Sequence, residues 1–106
     1  IEGGVSIGVG WVFSEEMVFE NGAVTNPTLL DYKILSTLDM PEVHSILVED
    51  PDPTGPFGAK GIGEPVLIPT AAAVANAIRD AVGVRIQDMP FSPDRVLAAL
   101  QKTASA

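Results

Sequence analysis

The 106-residue chain contains no cysteine and a single histidine, His44. The first absence excludes disulfides, thiolate-bound zinc and iron–sulfur clusters within the chain. The second leaves one imidazole, which makes a poor metal site, and no metal-ligating residues are expected. Basic residues are scarce too: six Lys and Arg stand against fourteen Asp and Glu, for a net charge of −8. A nucleic-acid binder needs a basic face to neutralise phosphates, and six scattered cations do not supply one. No apolar run approaches the roughly 18 residues of a membrane span. The opening IEGGVSIGVG lacks the basic region of a signal peptide. The expected setting is cytoplasmic, and the missing initial methionine suggests an internal piece of something longer.

What is present excludes disorder. Apolar residues make up 46% of the chain, enough for one small domain at most at this length. Val5, Ile7, Val9, Trp11 and Phe13 alternate with smaller residues, as a strand would, yet Ile7, Trp11 and Glu15 keep helical spacing. Local evidence leaves that segment open. Trp11 and Phe13 are expected in the core. Asn21-Gly22, between two apolar stretches, is the strongest short signal for a hairpin with a type I′ turn. Tyr32 and Lys33 fall in a mostly irregular stretch. VHSILVED, residues 43–50, reads as a strand, with His44 at the surface or the edge of the core. In PTAAAVANAIRDAVG the alanines favour a helix over 70–82, with Thr70 as N-cap, Gly83 as left-handed terminator and Val74, Ala77, Ile78 and Ala81 as the apolar stripe. A short strand, VRIQ, follows. Ser92-Pro93 then opens a second helix over 93–101, ahead of a small-residue tail.

Between strand and helix lies PDPTGPFGAKGIGEP, fifteen residues with four prolines and four glycines. Loops of this length without regular structure are usually functional or disordered, and the apolar Phe57 and Ile62 argue against disorder. It is not a phosphate-binding P-loop: counting from Gly55, the sixth position is Lys60, and no Ser or Thr follows it. The dinucleotide fingerprint fails at Val66 and, for the earlier glycine pair, at Phe13. What remains is Glu64, biased away from helical geometry by Pro65. Two readings stand: a solvated turn carboxylate pairing weakly with Lys60, or a general base held at a fixed spot. Residue type and position do not choose between them.

IEGG at the start, NP…DYKI, DPTGPFGAKGIGEP and PTAAAVANAI, in this order and spacing, resemble the C-terminal end of the molybdenum-binding large subunit of the xanthine dehydrogenase/aldehyde oxidase family. The resemblance covers nearly the whole chain, 1–106, and K-G-x-G-E-P is its most specific part. It implies an enzyme that hydroxylates a heterocycle or an aldehyde with water as oxygen source. In that family a glutamate at the position of Glu64 acts as base on a metal-bound hydroxide. The same carry-over sets Lys60, Gly61, Ile62 and Gly63 against the cofactor, molybdopterin or its cytosine dinucleotide form. A glutamine commonly precedes the I-E-G-G segment in the family, whereas this chain starts at Ile1.

The resemblance also implies partners: the remainder of the large subunit, [2Fe–2S] and FAD domains or subunits, and a small-molecule substrate. It makes the first segment helical, over residues 3–17. The expected fold is then α+β, a partial domain with an N-terminal helix, a hairpin and strand, and two C-terminal helices, completed by the rest of the subunit. The competing function is a non-enzymatic interaction module, or remnant, that keeps the fold without cofactor.

Overall fold

Helix α1, Glu2–Phe13, forms although its sequence includes Gly3, Gly4, Gly8 and Gly10. Each glycine costs a helix about 1 kcal/mol relative to alanine, so packing rather than local preference decides the segment. Gly4 and Gly8 lie one turn apart on one face. In the computed structural model, which describes residues 1–104, a Cβ on Gly4 would sit 2.9 Å from Val66 Cβ. One on Gly8 would sit 2.7 Å from Thr70 Oγ1 and 2.8 Å from Thr70 Cβ. The glycines thus let α1 lie directly against the start of α2, Thr70–Val82. The helix expected over 3–17 starts one residue earlier and ends at Phe13. Beyond it, the Ser14 amide donates to Gly10 O (2.9 Å) and its hydroxyl to Lys33 O (2.9 Å).

The hairpin forms as expected. Strands β1, Phe19–Glu20, and β2, Ala23–Val24, pair antiparallel with Phe19 opposite Val24. Asn21 and Gly22 take φ of 50° and 80°, the two positive values a type I′ turn requires. Asn26 closes the base, accepting from Val18 N at 2.8 Å and donating to Glu16 O at 2.6 Å.

Helix α2 ends where Gly83 adopts φ 77°, and its amide donates to Arg79 O. Thr70 is not its N-cap. It is the first helical residue, and its hydroxyl donates to Val66 O at 3.3 Å while Pro69 holds the cap position. Within the stripe, Val74 and Ile78 are half-buried while Ala77 and Ala81 are exposed. Helix α3, Pro93–Ala104, extends past residue 101, and the last two residues of the expected tail lie outside the described ones. Before α3 the Phe91 amide donates to Val12 O at 2.6 Å, and Arg95 reaches Met89 O and Glu16, each at 2.6 Å. Val12, Val84 and Phe91 are the buried apolar side chains among the described residues.

Four further expectations need correction. Residues 43–50 form no strand within this chain, because no backbone of the described residues pairs with them. Residues 84–87 are also irregular: Val84 is drawn into the core instead of into a ladder. Trp11 and Phe13 are not core, being 47% and 39% exposed, since α1 buries its glycine face and Val12. Lys60 pairs with Asp50 rather than Glu64. His44 is exposed, as expected. The radius of gyration, 17.5 Å, exceeds the about 13 Å of a compact domain of this length, in keeping with a partial domain.

Candidate functional site

The loop 51–65 is ordered by its own polar groups. Asp52 Oδ1 accepts from the amide and the hydroxyl of Thr54, both at 2.8 Å. These bonds, the Thr54 amide first, hold the Asp52 carboxyl below the ordinary aspartate value. The Asp52 amide donates to Gly58 O at 3.1 Å, which closes the neck of a small excursion that contains the 3₁₀ turn Pro56–Gly58. At its tip Phe57 takes φ 54°, a strained value for an aromatic residue, and its side chain is fully exposed. Lys60 then leaves the neck with its ammonium 2.5 Å from Asp50 Oδ2.

Glu64 follows on a series of turns, 63–69, that leads directly into α2. Its carbonyl accepts from the Leu67 amide at 3.0 Å, and Leu67 O in turn accepts from the Thr70 amide at 3.2 Å. Val66 and Thr70, the residues against Gly4 and Gly8, anchor this turn series to α1. The backbone of Glu64 is therefore fixed from behind, while its side chain is exposed and engages no other described residue. Gly61 and Gly63 differ from Gly4 and Gly8 in that a Cβ on either would meet nothing within 4 Å, and neither has a left-handed φ that would itself call for glycine.

Lys60, Gly61 and Ile62 share the wall of an open concavity with Asp50 and Phe57, and neither Gly63 nor Glu64 lies on it. The five predicted site residues are thus contiguous in sequence, but only three line one surface. Sequence reasoning missed the supports behind them. The Gly4/Gly8 spacing was the available signal for the close contact with Val66 and Thr70. Nothing local marked Glu15, whose Oε2 accepts from Tyr32 OH at 2.7 Å. That bond raises the Tyr32 hydroxyl above its ordinary range. Among the described residues no cluster of His, Asp or Glu could hold a metal ion, and no helix is long and apolar enough to cross a membrane.

Residues 1–41 match the family model of the molybdopterin cofactor-binding domain. Over 98 residues, 91% of the chain, it is 43% identical to the putative xanthine dehydrogenase molybdenum-binding subunit of Escherichia coli K12. It is 37% identical over 98 residues to subunit gamma of the 6-hydroxypseudooxynicotine dehydrogenase complex of Paenarthrobacter nicotinovorans. The crystal structure of quinoline 2-oxidoreductase from Pseudomonas putida 86 superimposes with a TM-score of 0.87 at 34% identity, covering 96% of this chain. The chain is homologous to one segment of the molybdenum-binding subunits of the xanthine dehydrogenase/aldehyde oxidase family. That segment is short: the chain spans 13%, 12% and 14% of these three proteins. The loop that carries Glu64 lies outside the family-model match. The longer alignments must contain it, because the residues they omit are far fewer than those separating the loop from either end.

Proposed function

We propose that this chain contributes one wall of the active site of a molybdenum hydroxylase, with Glu64 as its general base and the remainder of the subunit supplying the other walls. The observation that carries the reading is the contrast at Glu64. Its backbone is clamped through Val66 and Thr70 to α1, yet its carboxylate is left unengaged by the described residues. A general base must come within about 2.6–3.2 Å of the proton it removes, and a fixed backbone with a free carboxylate suits that task.

The residues present fit molybdopterin on one observation. No packing or backbone conformation among the described residues requires glycine at 61 or 63. A bulky group pressed against the backbone would require it, because a Cβ would occupy the contact surface. In this reading Gly61 and Ile62, on the wall of the concavity, form the surface the cofactor rests on, and Gly63, just outside that wall, continues it towards Glu64. Lys60, oriented by Asp50, presents a cation at its edge. The bound cofactor would supply the electron sink for a two-electron oxidation. Glu64 would accept the proton from the oxygen that adds to an electron-poor carbon of a heterocycle or aldehyde. Iron–sulfur and FAD domains or subunits would carry the electrons onward, in keeping with a chain that has no cysteine.

Metal analysis of the complete assembly tests the reading. Molybdenum near one equivalent per copy of this chain is expected. An assembly that forms without molybdenum or pterin would favour the interaction module and overturn the catalytic assignment.

A further inference from the structure

Phe57 takes φ 54°, a left-handed value that a bulky residue rarely adopts and that glycine or asparagine accepts at less cost. Its ring is fully exposed, so no packing among the described residues offsets the strain. The excursion around it is nevertheless tightly built. The Gly55 amide donates to Asp52 O at 3.2 Å, Gly58 N to Gly55 O at 3.1 Å and Ala59 N to Pro56 O at 3.0 Å. A Cβ on Gly55 would collide with Ala59 O, and one on Gly58 would lie 2.8 Å from Pro51 Cβ. Both glycines, like the Asp52–Thr54 pair, serve the packing of the excursion itself. Only the Phe57 ring has no part in it. A turn alone would be better served by glycine at 57. An aromatic ring held out on a backbone locked from both sides is pre-organised for something outside the described residues.

The wall that the ring shares with Lys60, Gly61 and Ile62 narrows what that something is. The charged residues on this wall are Glu49, Asp50 and Lys60. Lys60 pairs with Asp50, whereas Glu49 engages no other described residue. One uncompensated carboxylate therefore accompanies the aromatic face. A carboxylate repels a phosphate and accepts hydrogen bonds from N–H groups. This combination suits a flat, uncharged ring system with N–H donors on its edge. That is the chemistry of a pterin ring, and not of the phosphate attached to it.

We propose that Phe57 is a cofactor-contacting residue whose ring lies against the pterin ring system in this concavity, beside Gly61 and Ile62. This deepens the proposed function and rests on it for the identity of the ligand. Glu64 does not lie on this wall, so the ring serves retention of the cofactor rather than proton transfer.

Release of pterin from the complete assembly tests the proposal, followed as pterin and molybdenum lost with time after dilution and gel filtration. Phe57→Gly removes the ring and relaxes the left-handed backbone together. Loss of an aromatic contact of this size should speed release about tenfold to a hundredfold. Phe57→Tyr keeps the ring and the strain, and should release at close to the wild-type rate. A ring with only a structural role would give the opposite order, with the glycine variant as retentive as wild type. That result would overturn the proposal and leave the proposed function standing. A Phe57→Gly assembly that comes apart while every surviving copy keeps its pterin would also overturn it, since the ring would then be seated against protein. A wild-type assembly without pterin would overturn both.

Discussion

Gly8 of α1 and Thr70 at the start of α2 are in direct contact, with no room for a methyl group between them: a Cβ on Gly8 would lie 2.8 Å from both the Cβ and Cγ2 of Thr70. The contact sits six residues beyond Glu64, at the end of the turn series that carries it. Gly8→Ala would gain up to about 1 kcal/mol of helix propensity. Overpacking of this kind costs about 1–3 kcal/mol, and the crowded atoms are at the branch of a short side chain, which cannot swing away. A net loss of about 1 kcal/mol is expected in thermal or denaturant unfolding of the assembly. The double variant with Thr70→Ala should lose less than the sum of the single losses, since part of the clash is removed. Strict additivity would show that the two residues do not meet.

The chain in isolation should fold poorly. Three buried apolar side chains and a radius of gyration of 17.5 Å leave little to offset the conformational entropy of about a hundred residues. Leu29, Leu30, Leu38, Ile46, Leu47, Val48 and Ile68 are each more than 70% exposed, a surface that self-associates unless covered. Size-exclusion chromatography should find oligomers or aggregates, and no cooperative thermal transition. Purified chain should neither retain molybdopterin nor hydroxylate an aldehyde or purine, because binding needs several converging surfaces. A monodisperse, sharply melting monomer would contradict this expectation.

Asp52 gives the excursion 52–58 a pH dependence of defined sign. Its folded value is depressed below the ordinary aspartate value of about 3.9, chiefly by the Thr54 amide. A depressed carboxyl stabilises the ordered loop above its unfolded value, and that contribution is lost as pH falls through the folded one. At neutral pH the Thr54 amide should therefore be protected, and below about pH 4 its protection relative to an unstructured amide at the same pH should fall. Asp52→Asn keeps an acceptor oxygen and should abolish the pH dependence while preserving most of the protection. Asp52→Ala should lose the protection at every pH. An unchanged Thr54 exchange rate in the alanine variant would exclude Asp52 as the lock.

The elements that could be read from sequence are those whose determinants are local. Asn21-Gly22 specifies its turn through two positive φ values, and Gly83 ends α2 through one. The alanine run of α2 and Ser92-Pro93 before α3 work in the same way. Elements determined by distant chain were not legible. Helix α1 shows alternation and glycines that oppose a helix, and the contacts that call for Gly4 and Gly8 come from Val66 and Thr70, more than sixty residues away. Residues 43–50 have strand composition but no backbone partner among the described residues. The site divides along the same line. The loop's prolines and glycines identified the segment, and the family resemblance singled out Glu64. The pairing of Lys60 with Asp50 rather than Glu64 depends on a neck hydrogen bond between Asp52 and Gly58 that no spacing rule predicts.

Substitutions at Glu64 and Lys60 separate chemistry from cofactor retention. Glu64→Gln keeps the size and most of the hydrogen-bonding capacity of the side chain but removes its ability to take a proton. The carboxylate engages no other described residue, so folding should be unaffected, and molybdenum and pterin content should stay near wild type. General-base assistance is worth about 10²–10⁴-fold, and kcat should fall by that factor in the assembly. Glu64→Ala should behave alike. Lys60→Ala removes the ion pair with Asp50, an exposed interaction of small energetic value. Its effect should be a milder loss of turnover that tracks a loss of bound cofactor, so activity per molybdenum stays near wild type. The diagnostic quantity is therefore kcat normalised to molybdenum, which should drop for Glu64→Gln and not for Lys60→Ala. A Glu64→Gln assembly that retains more than about a tenth of wild-type kcat would lie outside the general-base range. The carboxylate would then be a turn residue at the foot of α2, and the base would have to come from elsewhere in the subunit.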